Sequence, residues 1–305
     1  NKIDFTKTQI FDLITKLGGK NVDYLLNFLA YKLQFPSDKK PIGLCFINSK
    51  PGQGKGSFGV FLERLFACDS TSYVAFNNLD SFSNGFNAIM TRALFVCLEE
   101  ITAKRNCLRA FNGLLKDRIS SCQIMEEIKC RERVLRPWYS NIIIYSNDFN
   151  VMSCAKNDRR LVFFESDDSK ANNKAYFVKL YEELGDLKIM KSAFEYFSNR
   201  DTSTWNYRHI PKTHTKDKLI LASERHSTKF HRYLFTECLT KQNVYRFAAE
   251  NLYDYYRNFC EDYGMSKRYD RTYVVTNFEL HMEMKEIMGT YTLTSRERLK
   301  KLALL

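Results

Sequence analysis

The chain has 305 residues, 44% of them hydrophobic and 27% charged, and its 47 Lys and Arg against 35 Asp and Glu give a net charge of +12 and a sequence pI near 9.2. No run approaches the roughly 20 apolar residues that span a bilayer, no signal peptide opens the chain, and nine cysteines without one C-x-x-C pair argue against a zinc site or a disulfide framework. Membrane and secreted classes are set aside, a reducing intracellular compartment is expected, and the basic excess favours a polyanionic partner through counterion release.

Apolar residues at helical spacing predict helices over 6–18 and 22–33, and Phe35-Pro36-Ser37-Asp38 stops the second. Residues 44–58, LCFINSKPGQGKGSF, read as a buried strand running into a glycine-rich turn with a lysine where a helix begins. Gly52 and Gly54 let the backbone curl so that its N–H groups converge, Lys55 brings an ammonium, and the helix opened by Phe58 turns its positive end to an anion. The loop of Pro51, Gly52, Gln53, Gly54, Lys55, Gly56, Ser57 and Phe58 is therefore a candidate phosphate cradle, against the plainer reading of a glycine turn beside an exposed lysine. It departs from the usual pattern, with Ser49 where a glycine is common and Gly56, not a hydroxyl residue, after the lysine.

Tyr73 to Phe76 reads as a short strand, and Asn- and Ser-rich 76–86 as a loop that changes shape with nucleotide state. The run TRALFVCLEEI, 91–101, reads as a central strand that ends on Glu99 and Glu100. One carboxylate can hold Mg²⁺, directly or through water, while its neighbour activates an attacking water; on its own the pair also fits the start of a solvated helix. Asn141 to Asn147, NIIIYSN, is a second β-branched strand whose polar tip suits a γ-phosphate, and Arg159 and Arg160 precede another strand, Leu161 to Glu165. Paired arginines there fit a structural ion pair or a charge lent to a neighbouring subunit. The alternation over 42–165 predicts a mostly parallel sheet with helices on both faces.

Basic residues cluster twice, with nine Lys and Arg against four acids over 102–136 and seven against two over 208–232. A channel lining and a solvated helix face both fit such runs. Residues 170–197 read as helix. Residues 245–262 and 277–288 read as further helices around a basic turn, with Leu252, Tyr255, Tyr256 and Phe259 as a stripe that fits the core of a small domain or, less simply, a base-stacking platform.

The series GQGKGSF, FVCLEE, a basic segment with Lys129, IIIYSN and DRRLVFF resembles the ATPase domain of superfamily 3 helicases, AAA+ type ring motors, in the virus, phage and plasmid branch whose helicase is often fused to a primase. The likeness extends to the helical lead-in at 23–41 and to 208–235, covering roughly residues 20–240. It implies an α/β, AAA+-like P-loop core at 41–240, after an N-terminal helical lead-in at 1–40 and before a small C-terminal winged-helix-like domain at 241–305. It also implies ATP and Mg²⁺ as cofactors, single-stranded DNA with RNA still open as partner, a homo-oligomeric ring of hexamer type, and a primase or polymerase as fused or associated companion. Lys55 and the loop would hold phosphates, Ser57 would replace the missing metal-side hydroxyl, Glu99 would face the metal, Glu100 would be the catalytic base and Asn147 the γ-phosphate sensor. Arg159 or Arg160 would act in trans, and Lys129, with Arg131 and Arg133, would grip nucleic acid from a hairpin in the channel. A nucleotide-dependent assembly or initiator ATPase and a non-hydrolysing structural domain are the other readings. The start at Asn1, not Met, leads us to expect a piece of a longer polypeptide.

Overall fold

The computed structural model describes residues 3–47, 51–66, 71–83, 87–100, 108–148, 152, 154–155, 157–223, 226–239, 246–263, 274, 285–287 and 290–292. Two compact units divide the chain, Asn1–Ser223 and Glu224–Leu305.

The first unit opens with helices α1 (Gln9–Gly18) and α2 (Val22–Gln34), and Thr8 caps α1 by accepting from the Phe11 amide. Strand β1 (Gly43–Ile47) leads through the glycine loop into α3 (Lys55–Leu65). There follow β2 (Tyr73–Phe76), the short helices α4 (Leu79–Ser83) and α5 (Ala88–Arg92), β3 (Phe95–Glu99) and α6 (Leu108–Ser120). A hairpin of β4 (Gln123–Glu126) and β5 (Val134–Pro137) comes next, then β6 (Asn141–Ser146), β7 (Leu161–Phe164), α7 (Lys174–Gly185), α8 (Leu187–Asn199) and α9 (His214–Ser223).

Strands β1, β2, β3, β6 and β7 form one parallel sheet in the order β2-β3-β6-β1-β7. Every residue of β1, β6 and β7 is buried, as expected when helices cover both faces of a parallel sheet. Side chains alternate between two cores. Leu44 and Phe46 of β1 enter the core shared with α1, α2, α3, α7 and α8, where Phe46 stacks on Phe164 at 4.9 Å; Cys45 and Ile47 enter the opposite core beside α6. The strand order matters for the site, because β6 lies between β1 and β3 and so sets its tip between the loop leaving β1 and the acids ending β3.

Four expectations need correction. Residues 79–83 are helical, and Phe82 is fully buried in the α6-side core, so this part of 76–86 is packed structure; residues 84–86 lie outside the described set. Thr91 and Arg92 close α5, and the acid strand begins only at Phe95, with Ile101 outside the described residues. The helix expected over 170–197 is two helices, broken at Gly185 and restarted by Asp186, whose carboxylate accepts from the Lys188 amide. In the second unit, Arg246–Ala248 and Lys285–Ile287 are strands where helix was expected; 277–284 and 288 lie outside the described residues.

The second unit comprises α10 (His226–Tyr233), a π turn at Leu234–Leu239, β8 (Arg246–Ala248), α11 (Ala249–Asp262), β9 (Lys285–Ile287) and β10 (Thr290–Thr292), the strands pairing antiparallel as β8-β10-β9. Leu252, Tyr256 and Phe259 are buried, and Phe230 meets Tyr256 edge-on at 5.2 Å, so the aromatic stripe of α11 is core. Among the described residues of the chain, no helix is long and apolar enough to cross a membrane.

Candidate active site

The loop between β1 and α3 is shaped by two glycines. Gly52 and Gly54 have φ of +77° and +89°, a region that side-chain-bearing residues enter at a cost. A Cβ on Gly52 would lie 2.0 Å from Asn172 Oδ1, and one on Gly54 would lie 2.6 Å from Leu13 Cδ1 on α1. The Asn172 amide donates to the Gly52 carbonyl at 3.0 Å, clamping the loop from outside. Gly54 provides the N-cap of α3 without a side-chain bond, so the first amides of that eleven-residue helix are left to bind an anion. Gln53 is buried, and neither its Oε1 nor its Nε2 has a hydrogen-bond partner. A glycine cradle, uncapped amides and an orphaned buried amide fit the phosphates of a nucleotide.

Lys55 reaches from the start of α3 to the tip of β6. Its Nζ donates to Asn147 Oδ1 at 2.5 Å and to the Ser146 carbonyl at 3.2 Å. The other end of the same amide, Asn147 Nδ2, donates to Glu100 Oε1 at 3.0 Å. An ammonium from the start of α3 and an amide and a carboxylate from the ends of β6 and β3 are thus joined in one chain of hydrogen bonds. Burial draws the Lys55 ammonium below the ordinary lysine range, and the charge of Glu100 opposes that shift. Glu100 has φ of +48°, a strained left-handed conformation for a residue with a side chain, held by its amide donating to the Tyr145 carbonyl at 3.0 Å.

Glu99, half-buried, ends β3 in register with Tyr145. Ser57 is buried, and its hydroxyl donates to Tyr181 Oη on α7 at 3.3 Å. Around the position a Cβ would occupy on Gly56, no atom lies within 4 Å. Phe58 is fully buried against Phe46 and Phe61, bracing the loop from behind. Among the described residues no three His, Cys, Asp or Glu side chains converge as a metal cluster. Mg²⁺ bound together with a nucleotide needs only one or two carboxylates, which Glu99 and Glu100 offer.

The remaining candidates lie elsewhere. Arg159 and Arg160 stand at the entrance of β7, where Gly43 N donates to the Arg160 carbonyl, so β1, about 13 Å of strand, separates them from the Lys55 edge. Arg159 is exposed, whereas Arg160 Nε donates to Ser120 Oγ at 2.8 Å. Lys129, Arg131 and Arg133 are exposed in the turn between β4 and β5, with Arg133 paired to Glu127 at 3.1 Å. A cavity of about 570 Å³ opens between the beginnings of α1 and α7, lined by Thr8, Gln9, Asp12, Asn173 and Tyr176 among others. Asn172, which clamps the loop, is the neighbour of Asn173. Sequence reasoning missed this cavity and Tyr181, because no motif marks a pocket formed by helices far apart in the chain.

Residues 47–160 match the model of a family of unknown function, DUF5906, a span that runs from the end of β1 to the paired arginines. No curated protein matches the chain. Among solved structures, the apo C-terminal region of NrS-1 (its residues 305–718) superposes with a TM-score of 0.70 at 17% identity, covering 96% of this chain and 78% of that one. Two A-form apo structures of the same region give TM-scores of 0.66 and 0.68 at 16% identity, covering 95% and 97% of this chain and 77% and 79% of theirs. At that identity the likeness is one of fold.

Proposed function

We propose that the chain is an ATP-driven motor module, a ring-forming nucleic-acid helicase or translocase of the superfamily 3, AAA+ type from a viral or mobile-element DNA replication protein. The supporting observation is the hydrogen-bonded series Lys55, Asn147 and Glu100 beside a glycine cradle at one edge of a parallel sheet. In this reading the loop amides and Lys55 bind the β- and γ-phosphates, and Gln9, Asn173 and Tyr176 bound the space for the nucleoside half. Glu99 would hold Mg²⁺, which when bound neutralises phosphate charge. Glu100 accepts the proton of the attacking water as the bond from the γ-phosphorus to the departing ADP oxygen breaks, and Asn147 orients that water or the γ-phosphate.

Arg159 and Arg160 stand too far from Lys55 to serve the same nucleotide within one chain, so the reading requires a second copy at the phosphate edge, forming a ring. An arginine supplied in trans contributes about 10³ to 10⁵ in rate. The exposed turn with Lys129, Arg131 and Arg133 grips the backbone of a single strand. The second unit, whose described residues include α10, α11 and a small antiparallel sheet, serves as the winged-helix-like appendage. The test is ATP hydrolysis and strand displacement with single-stranded and forked DNA. The native chain is expected to hydrolyse faster with DNA, and Lys129→Ala to keep basal hydrolysis while losing the stimulation. Hydrolysis indifferent to DNA, with nucleotide-driven assembly intact, would replace the helicase reading by that of an assembly or initiator ATPase.

One observation favours a non-hydrolysing reading, the pairing of Gly56 with a Ser57 hydroxyl turned toward Tyr181. Its test is whether the native chain hydrolyses ATP at all.

A further inference from the structure

The hairpin and the phosphate edge lie at opposite ends of the sheet, and one short helix ties the hairpin to both strands that run between them. Asn87 precedes α5 as its N-cap, a position whose side chain ordinarily bonds its own helix, yet it makes no such bond. Instead Nδ2 donates to the Met125 carbonyl at 2.8 Å and Oδ1 accepts from the Glu127 amide at 3.0 Å. The buried amide therefore pairs with the free backbone edge of β4 as a neighbouring strand would, on both sides of Glu126. One turn later, the Thr91 hydroxyl lies 2.7 Å from Glu126 Oε1 and 2.8 Å from the Ala88 carbonyl, while Glu126 Oε2 accepts from Arg136 Nε on β5 at 3.2 Å.

The far end of α5 joins the sheet. The buried Ser140 hydroxyl lies 3.1 Å from the Met90 carbonyl and 2.5 Å from the Ala93 carbonyl, and Ser140 immediately precedes β6. Only Ala93 and Leu94 separate α5 from β3. From this junction β3 runs to Glu99 and Glu100, and β6 runs to Ser146 and Asn147. Both strands are buried and hydrogen-bonded to each other along their length.

We infer that Asn87 and Thr91 are positioning residues that couple the nucleotide edge to the β4–β5 hairpin. The inference rests on the nucleotide reading above and adds to it the parts that link the two ends. A γ-phosphate that takes Lys55 from Asn147, or Asn147 from Glu100, shifts the tips of β6 and β3. The α5 junction passes that shift to the turn bearing Lys129, Arg131 and Arg133. Neither residue touches nucleotide or nucleic acid in this scheme.

The test is hydrogen–deuterium exchange of the full chain, read separately in the phosphate loop and α3 (51–65) and in the hairpin (123–137), with and without Mg²⁺ and a non-hydrolysable ATP analogue. In the native chain both segments are expected to change on adding the analogue. In Asn87→Ala, and in the milder Thr91→Val should the alanine variant fold poorly, the loop should respond as in the native chain while the hairpin response falls at least twofold. DNA stimulation of hydrolysis should fall with it, at basal rates within about twofold of native. A hairpin that responds equally in the variants, or that is silent in the native chain while the loop responds, overturns the inference and leaves the nucleotide site standing. Parallel loss of thermal stability, basal hydrolysis and stimulation marks a merely structural role and overturns it as well. Silence at both segments in the native chain overturns the nucleotide reading itself, and the inference with it.

Discussion

In the proposed site Glu100 combines a fixed position with a cost for holding it. A left-handed conformation costs a side-chain-bearing residue about 1–2 kcal/mol, and glycine almost none. Glu100→Gly is therefore expected to be more stable than Glu100→Ala by about 1 kcal/mol in urea unfolding, with both inactive; the reverse order would mean that φ is not positive there. The ammonium of Lys39 makes a different trade. Its Nζ donates to the carbonyls of Arg118 and Ser121 at 2.7 and 2.8 Å and lies 5.1 Å from the centre of the Trp138 ring. Burial draws its pKa from 10.5 down to about 7, and that of Lys32 to about 8. Between those values and 10.5 the unfolded chain holds more protons than the folded one, so folding stability rises with pH across that window and is least below about pH 7. Urea midpoints at pH 7 and pH 9.5 should increase in the native chain, and increase less in Lys39→Met. At this scale Glu100 and Asn147 were legible because each follows an apolar strand with a polar residue, and Lys55 because it closes a glycine-rich loop at the start of a helix. Asn87 and Thr91 were not, since single uncharged residues on a five-residue helix leave no periodic trace.

The elements that hold the site are the buried strands and the helix behind the loop. Phe58 is packed between Phe46 at 5.6 Å and Phe61 at 6.2 Å. Its truncation to alanine should cost about 3–5 kcal/mol and loosen α3 against the sheet; a loss below about 1 kcal/mol by urea unfolding would contradict that packing. Gly54→Ala should lose about 2–4 kcal/mol, from the left-handed backbone and from the overlap with Leu13, and nucleotide binding with it. A calorimetric titration with ATP checks the second half. The parallel strands were readable because burial on both faces leaves continuous apolar runs. What escaped was decided by tertiary contact: α4 exists because Phe82 finds the α6-side core, and the helical stretch after 170 breaks because Asp186 can cap a second start. Lys285–Ile287 pairs with β10 although Lys-Glu-Ile has no strand alternation that sequence alone would register.

For the whole molecule, the account rests on a nucleotide held by one chain and finished by another. Lys55→Ala and a double Arg159→Ala/Arg160→Ala variant should each be nearly inactive alone. Mixed in equal amounts they should recover roughly a quarter of native hydrolysis, since that share of boundaries joins a native loop to native arginines; no recovery after subunit exchange would contradict shared sites. The most direct measurement is ATP affinity and hydrolysis side by side for the native chain, Lys55→Ala and Glu100→Gln. The account predicts about 10- to 100-fold weaker binding in Lys55→Ala, as loss of a charged hydrogen bond implies, and native affinity with hydrolysis lowered about 10²- to 10⁴-fold in Glu100→Gln. Lys55→Ala binding ATP as tightly as the native chain, or Glu100→Gln hydrolysing it as fast, would contradict it.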